Sequence, residues 1–170
     1  MDLERTTEDL QIKFWKRRIS KALDSGLEEN RRLIMEPSLA NGFEISRHRT
    51  RIIDSTLSSF FAEIADPIAT NIIVTAGGHG REELTPNSDV DLVVICDPVT
   101  KKTEEFQRNV VQFLLYNHPA LQGQMLVKSL DLVGQFEPDE VRALMDMRLL
   151  AGNSQLYHKA RRVIGKQSDK

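Results

Sequence analysis

The sequence predicts a small β-sheet flanked by helices, in an α+β or α/β arrangement, and three observations support that prediction. Roughly the first 65 residues show helical spacing and no strand-like run. Two short β-branched runs follow at 71–75 and 90–95, separated by a glycine-rich turn. A third, weaker strand candidate at 124–130 lies among further helical patterns. Helices placed around so few strands indicate one small covered sheet.

The N-terminal region predicts a helical extension. Between residues 2 and 23, apolar side chains recur on one helical face, and Gly26 is a plausible terminator of that helix. A shorter helix is predicted over 27–35, before Pro37. We expect residues 1–42 to form this extension, whose apolar stripe is suited to helical contacts with a partner.

A second strong helix is predicted before the first strand. Ser46 is its candidate N-cap, and Asp66-Pro67 ends it. Its opposite face carries Arg47, Arg49 and Arg51, which form either a solvated surface or one that directs an arginine to a phosphate-bearing ligand. The apolar stripe of this helix comprises Ile53, Leu57, Phe60, Phe61 and Ile64.

Three helical segments are predicted after the second β-branched run. Thr103 opens the first, which ends at Asn117-His118-Pro119. Pro138 opens the next, with acidic residues in its first turn, and this helix is expected to reach Gly152. Ser154 caps a last, short, basic helix.

The composition is that of an ordinary globular domain. The 170 residues carry 23 Lys and Arg against 25 Asp and Glu, a net charge of −2, which disfavours binding to a long nucleic acid or to an acidic membrane. A single cysteine, Cys96, excludes an intramolecular disulfide. No apolar run reaches the roughly 20 residues of a membrane span, and the N-terminus lacks the apolar core of a secretory signal. We therefore expect a cytoplasmic protein.

The segment between the two strongest strand candidates is the most informative about chemistry. Gly77-Gly78 follows an apolar strand directly, where the lack of Cβ lets the backbone approach a ligand and present N–H groups to an anion. Asp89 and Asp91 are two residues apart, so the pleat of a strand directs both carboxylates to one face. Adjacent carboxylates repel unless a cation holds them, and Mg²⁺ or Mn²⁺ suits such oxygen ligands and shares its coordination with phosphates. Together these features predict phosphoryl or nucleotidyl transfer.

Two other phosphate-binding motifs fit this segment poorly. Gly78-His79-Gly80 lacks the third glycine of the dinucleotide-binding fingerprint, and no Gly-Lys-Ser/Thr follows as in a P-loop. His79 is expected to line the site as a loop residue rather than to act as a base.

The string GGHGREELTPNSDVDLVVI, residues 77–95, resembles the nucleotidyltransferase motif of the polymerase-β superfamily. It is most similar to the branch that contains the bacterial uridylyltransferases of the PII protein and related nucleotidyltransferases found beside CBS or cyclic-nucleotide-binding domains. Every fixed position of that branch's pattern, Gly-Gly-x-Gly-Arg-x-Glu-Leu-x-Pro-x-Ser-Asp-x-Asp-Leu, is matched. The resemblance is specific over 74–95 and looser over 43–160, where residues 147–152 are similar to the family's closing helix.

The resemblance implies an α+β nucleotidyltransferase fold over residues 43–165, with a small mixed sheet flanked by helices. It implies Mg²⁺-dependent transfer of a nucleoside monophosphate from an NTP, ATP or UTP, to an acceptor hydroxyl with release of pyrophosphate. The acceptor is open, and a protein is one candidate. Full signalling uridylyltransferases carry further domains that 170 residues cannot contain, so the chain is expected to be a stand-alone relative or a fragment.

The resemblance also implies the roles of individual residues. Asp89 and Asp91 would bind the catalytic Mg²⁺ or Mn²⁺. A third carboxylate usually comes from a later strand, but the candidate strand at 124–130 contains no acid, and Asp131 just beyond it is the candidate. Without a third acid, the alternative function is a non-catalytic nucleotide-binding module for regulation or interaction that keeps the fold. The nucleotide-binding residues implied are Gly77, Gly78, Arg81 and Ser88.

Overall fold

The computed structural model describes residues 2–36, 38, 40–63, 71–110 and 118–168. Two 3₁₀ turns, at Pro119–Leu121 and Leu130–Gln135, flank the third strand. In chain order the elements are α1 (Asp2–Met35), α2 (Gly42–Glu63), β1 (Asn71–Thr75), α3 (Gly77–Gly80), β2 (Val90–Cys96), α4 (Lys101–Val110), β3 (Gly123–Ser129), α5 (Pro138–Met145), β4 (Arg148–Gly152) and α6 (Ser154–Ser168).

The four strands form one mixed sheet in the order β3-β2-β1-β4. β1 is antiparallel to both of its neighbours, whereas β2 and β3 are parallel, with Asp91 paired with Gln124. Gly123 permits the close approach of β3, because a Cβ at this position would lie 2.1 Å from the carbonyl oxygen of Val90. This architecture confirms the predicted α+β fold with a small mixed sheet and N-terminal helices.

Apolar side chains cover both faces of the sheet. Leu92 and Val94 of β2 face a core shared with α1 and α2, whereas Val93 and Ile95 face a second core shared with α5 and α6. Because side chains alternate along a strand, Asp91 lies on the face of Val93 and Ile95. The helical residues of the first core are Trp15, Ile19, Leu23, Leu27, Ile53, Leu57, Phe60 and Phe61.

The N-terminal extension differs from its prediction. α1 is one continuous helix through Gly26, so the predicted stop there is wrong. A Cβ on Gly26 would lie 2.6 Å from the side chain of Ile52, which shows that the glycine allows α1 and α2 to approach closely. Described α1 residues contribute to the same core as α2, while the domain boundary after residue 42 stays a prediction.

The start of α2 also differs from its prediction. Asn41, rather than Ser46, caps the helix: its side chain accepts a hydrogen bond from the backbone N–H of Glu44, and its own N–H donates to the Glu44 carboxylate. The predicted stripe of α2 from Ile53 to Phe61 is buried as expected. Ile64 and the predicted end at Asp66-Pro67 lie outside the described residues, as do Pro37 and Asn117.

The largest difference is a fourth strand. α5 begins at Pro138 as predicted but ends at Met145, so its predicted extension to Gly152 is wrong. Residues Arg148–Gly152 instead pair antiparallel with β1 as β4. Pairing β4 with β1 satisfies the backbone groups on that side of the buried strand, which a longer helix would have left without partners. None of the described helices is long and apolar enough to span a membrane.

Candidate functional site

The glycine turn and the acidic strand lie side by side. β1 ends in the single-turn helix α3, and the backbone N–H of Ala76 donates to the carbonyl oxygen of Asp91. Gly77 has φ +55°, a conformation that favours glycine. A Cβ at Gly77 would lie 3.5 Å from Oδ2 of Asp91, so bare backbone faces this carboxylate. The structure thus brings together the turn and the strand that the motif links.

Asp91 is half-buried and Asp89 is exposed, immediately before β2. Burial raises the pKa of Asp91, the negative charge of Asp89 raises it further, and a hydrogen bond from Nε2 of Gln124 at 3.4 Å opposes the shift. The two carboxylates are therefore close enough to repel each other. A bound cation would relieve both the burial cost and this repulsion.

The donor set fits a magnesium ion shared with a ligand. Among the residues that the structure describes, no three His, Cys, Asp or Glu side chains form a cluster able to hold a metal alone. Mg²⁺ is commonly held by one or two carboxylates and completes its coordination with substrate phosphates and water. Asp89 and Asp91 provide such a pair of oxygen ligands.

Arg81 and Ser88 brace the loop between α3 and β2. Hydrogen bonds to Asp146 and Glu83, each 2.9 Å long, raise the pKa of the Arg81 guanidinium and fasten the turn to the end of α5. The Ser88 hydroxyl accepts a 2.9 Å hydrogen bond from the backbone N–H of Thr85 and lies 2.9 Å from the Thr85 hydroxyl. This closed turn directly precedes Asp89. Arg81 is exposed beside the glycine turn, with an Nη atom 4.0 Å from the Cβ position of Gly78.

The structure does not bring Asp131 to the acid pair. Because β3 is parallel to β2, Gln124 is paired with Asp91, while Ser129 is paired with Cys96 at the opposite end of β2. Asp91 and Cys96 are five residues apart on β2, which separates them by about 17 Å at roughly 3.3 Å per residue. Asp131 lies beyond the far end, where its carboxylate accepts a hydrogen bond from Ser129. The β3 residue beside Asp91 is therefore an amide.

A partly buried network of hydrogen bonds holds the glycine turn on the side away from Asp91. His79 is fully buried, and its Nε2 lies 2.8 Å from Oδ1 of Asp54 on α2. Oδ2 of Asp54 accepts a 2.7 Å hydrogen bond from Arg148, whose other guanidinium nitrogens donate to the carbonyl oxygens of Gly80 at 2.7 Å and His79 at 2.9 Å. α2, α3 and β4 are thereby fastened together.

Sequence reasoning missed this network. It placed His79 at the lining of the site, whereas the ring is enclosed and bonded to α2. It also placed Arg148 in a helix. One signal was available, because Asp54 is a carboxylate directly after the apolar Ile53 within the predicted stripe of α2. A carboxylate in such a position needs a partner.

The arginines of α2 also bind the loop. Arg47 donates to the carboxylate of Glu82 at 2.8 Å, and this bond is the main cause of the lowered pKa of Glu82. Arg49 is buried and lies 3.5 Å from the carbonyl oxygen of Pro86, and burial lowers its pKa. Arg51 is exposed. Two of the three arginines thus fasten the motif loop to α2. Neither of the predicted roles, a solvated surface or contact with a phosphate-bearing ligand, includes this contact.

Comparison with known proteins gives results that agree with this geometry. The family model described as a nucleotidyltransferase domain matches residues 59–151. The chain is similar to the bifunctional uridylyltransferase/uridylyl-removing enzyme of Idiomarina loihiensis, with 30% identity over 121 residues, 68% of this chain and 14% of that enzyme. The enzyme of the same name from Erythrobacter litoralis is 26% identical over 164 residues, 85% of this chain and 17% of that enzyme. The chain thus spans between a seventh and a sixth of the length of these relatives. The resemblance predicted from the sequence is confirmed.

Proposed function

Because this chain belongs to the nucleotidyltransferase domain family, we propose that it transfers a nucleoside monophosphate from an NTP to an acceptor hydroxyl in a Mg²⁺-dependent reaction. One observation carries the proposal: the bare backbone of Gly77 faces the carboxylate of Asp91, which lies next to Asp89. Backbone without a side chain beside a carboxylate leaves room for a triphosphate and its cation together.

In this proposal the residues of the turn hold the nucleotide. Asp89 and Asp91 bind Mg²⁺, which supplies charge neutralisation for the phosphates. The backbone of Gly77 and Gly78 binds the triphosphate, and Ser88 fixes the loop that carries Asp89. Arg81, which is paired with Glu83 and Asp146, binds phosphate oxygens in this proposal when one of these two ion pairs exchanges.

The reaction forms one bond and breaks one. The acceptor oxygen attacks the α-phosphorus, the bond from that phosphorus to the bridging oxygen breaks, and pyrophosphate leaves with its electron pair. Among the described residues, no third carboxylate lies beside Asp89 and Asp91 as a metal ligand. The proton of the acceptor hydroxyl therefore passes to water. Positioning and charge neutralisation remain the main contributions of the protein.

We propose UTP as the first nucleotide to test, and ATP as the second. UTP is supported by the relatives, which are uridylyltransferase/uridylyl-removing enzymes. Because the chain spans so small a part of them, their full activity does not identify the acceptor here.

The test is nucleotide transfer with α-labelled UTP and ATP, Mg²⁺ and a panel of hydroxyl acceptors. Asp89→Asn combined with Asp91→Asn is expected to abolish both label transfer and pyrophosphate release. Glu28→Gln is the matched control, because this carboxylate is 73% exposed on α1 and does not line the site. Transfer that survives the double substitution contradicts the proposal.

A second candidate is a nucleotide-binding module without turnover. The amide of Gln124 beside Asp91, in place of a third acid, favours it. Calorimetry with Mg²⁺-UTP and Mg²⁺-ATP separates the two: binding without label transfer to any acceptor supports the module. Pyrophosphate release that depends on Asp89 and Asp91 supports the enzyme.

A further inference from the structure

A cavity of about 250 Å³ adjoins the acid pair and extends along one face of β2 and β3 beneath α5. Gly77, Asp91 and Gln124 line one end of it, and Lys128 and Glu140 line the other. Gln124 and Lys128 are four residues apart on one strand, which separates the two ends by about 13 Å at roughly 3.3 Å per residue. The cavity is therefore continuous with the proposed phosphate site.

The middle of the cavity is apolar. Val93 and Leu126, paired on β2 and β3, form the sheet side, and Ala143 and Leu144 of α5 form the opposite side. Apolar walls with a few convergent polar groups are typical of small-molecule sites. Walls of this kind on two sides suit the apolar faces of a planar ring.

The far end presents a hydrogen-bond donor beside an acceptor. Lys128 Nζ donates to Oε1 of Glu140 and lies 5.1 Å from the centre of the Phe136 ring. The hydrogen bond from Lys128 lowers the pKa of Glu140, whose Oε2 also accepts from the N–H of Glu137. Both side chains are partly accessible, at 22% for Lys128 and 31% for Glu140. An ammonium group only donates and an ionised carboxylate only accepts, so the pair complements a ring edge with neighbouring acceptor and donor groups.

We propose that this cavity receives the nucleobase of the NTP and that Lys128 and Glu140 recognise the hydrogen-bonding edge of the base. This inference rests on the proposed function, since the phosphates must lie at Gly77 and Asp91. The base is joined to the α-phosphate through the ribose, so a nucleotide anchored there delivers its base to an adjoining space. Bases carry neighbouring donor and acceptor groups on their edges.

The test compares nucleotides with a ligand that has no base. Calorimetry at fixed Mg²⁺ measures the Kd of UTP, ATP, CTP, GTP and inorganic tripolyphosphate for the full chain. The wild-type protein is expected to favour one base roughly tenfold. Lys128→Met and Glu140→Gln are each expected to remove that preference and to leave the Kd of tripolyphosphate unchanged. Glutamine keeps an acceptor for the Glu137 N–H, so the start of α5 is preserved.

Two further variants make the test independent of the ion pair. Ala143→Phe fills the cavity. It is expected to weaken the binding of all four NTPs about equally and to leave the binding of tripolyphosphate unchanged. Arg142→Met is the matched control for Lys128→Met, because Arg142 is 80% exposed on the same helix as Glu140. Thermal unfolding checks that each variant folds.

The possible contrary results distinguish a failure of this inference from a failure of the proposed function. Tripolyphosphate binding that depends on Asp89 and Asp91, with no base preference and no effect of the cavity variants on NTP affinity, overturns this inference and leaves the proposed function standing. Failure of both tripolyphosphate and the NTPs to bind overturns both. A change in the KM of an acceptor, with NTP affinity unchanged, assigns the cavity to the acceptor and also overturns the inference.

Discussion

Replacement of Arg148 by methionine tests the partly buried network behind the glycine turn. Methionine keeps an apolar stem but removes the three hydrogen bonds to Asp54, His79 and Gly80. A hydrogen bond with a charged partner contributes roughly 1.5–3 kcal/mol, and the Arg148 side chain is 33% exposed, so each bond is discounted to about 1 kcal/mol. We expect the free energy of unfolding to fall by about 3 kcal/mol, which corresponds to a decrease in Tm of about 6–12 °C.

The same substitution should weaken nucleotide binding. Without Arg148 the carbonyl groups of α3 lose their anchor, and the Gly77 backbone is no longer fixed opposite Asp91. Arg148→Lys keeps the charge but not the planar group of donors, so it should lose roughly half as much stability. Urea unfolding followed by the fluorescence of the buried Trp15 measures the stability, and calorimetry with Mg²⁺-UTP measures the affinity.

Arg142→Met is again the control, because an exposed ion pair contributes only about 0–1 kcal/mol. A double-mutant cycle between Arg148→Met and Asp54→Ala should give a coupling energy of about 1–3 kcal/mol. Unfolding of Arg148→Met at the same urea concentration as Arg142→Met, or equal nucleotide binding by the two variants, would contradict the anchoring role of Arg148.

Three other substitutions test separate features. Gly123→Ala should destabilise the chain by about 2 kcal/mol or more in thermal unfolding, because its Cβ would collide with the Val90 carbonyl oxygen; an unchanged Tm would contradict the close approach of β3 to β2. Gly77→Ala should cost about 1 kcal/mol and weaken Mg²⁺-UTP binding, since φ is +55° and Oδ2 of Asp91 is 3.5 Å away; unchanged calorimetric affinity would contradict the role of the turn. Asp91→Asn should remove a pH dependence: the raised pKa of Asp91 means that the folded state binds more protons, so wild-type stability falls as pH rises through that pKa. Urea midpoints from pH 4 to 7 measure this slope, and an equal slope in both proteins would contradict it.

The sequence could predict the acid pair and the turn because both depend on local geometry. Side chains two residues apart on a strand lie on the same face of the sheet, independently of the rest of the fold. β1 and β2 are antiparallel neighbours in the sheet, so the turn after β1 meets the start of β2. The relation between Gly77 and Asp91 is therefore contained in a short stretch of chain.

The residue of β3 that lies beside Asp91 depends on how strands distant in the sequence pair, so it could not be predicted. The pattern predicts strand β3, but the direction of this strand in the sheet decides which of its ends meets Asp91. A parallel β3 places Gln124 there and carries Asp131 to the opposite end; an antiparallel β3 would have placed its C-terminal end beside Asp91. Similarly, the run Leu149-Leu150-Ala151 suits a helix or a strand equally, and pairing with β1 decides the outcome.

The two sides of the glycine turn should respond to substitution in opposite ways. Behind the turn, Asp54 is paired with both His79 and Arg148. Removing one of these groups leaves buried or partly buried partners unsatisfied, which lowers stability and binding together. In front of it, Asp89 and Asp91 repel each other, and the first cause of the raised pKa of Asp91 is burial. Neutralising Asp91 should therefore stabilise the ligand-free protein at neutral pH while it removes Mg²⁺-dependent nucleotide binding. Structural carboxylates would give the reverse, because their loss destabilises the fold. Urea unfolding of Asp91→Asn without ligand thus distinguishes a site kept for a cation from one kept for stability, even before the acceptor is identified.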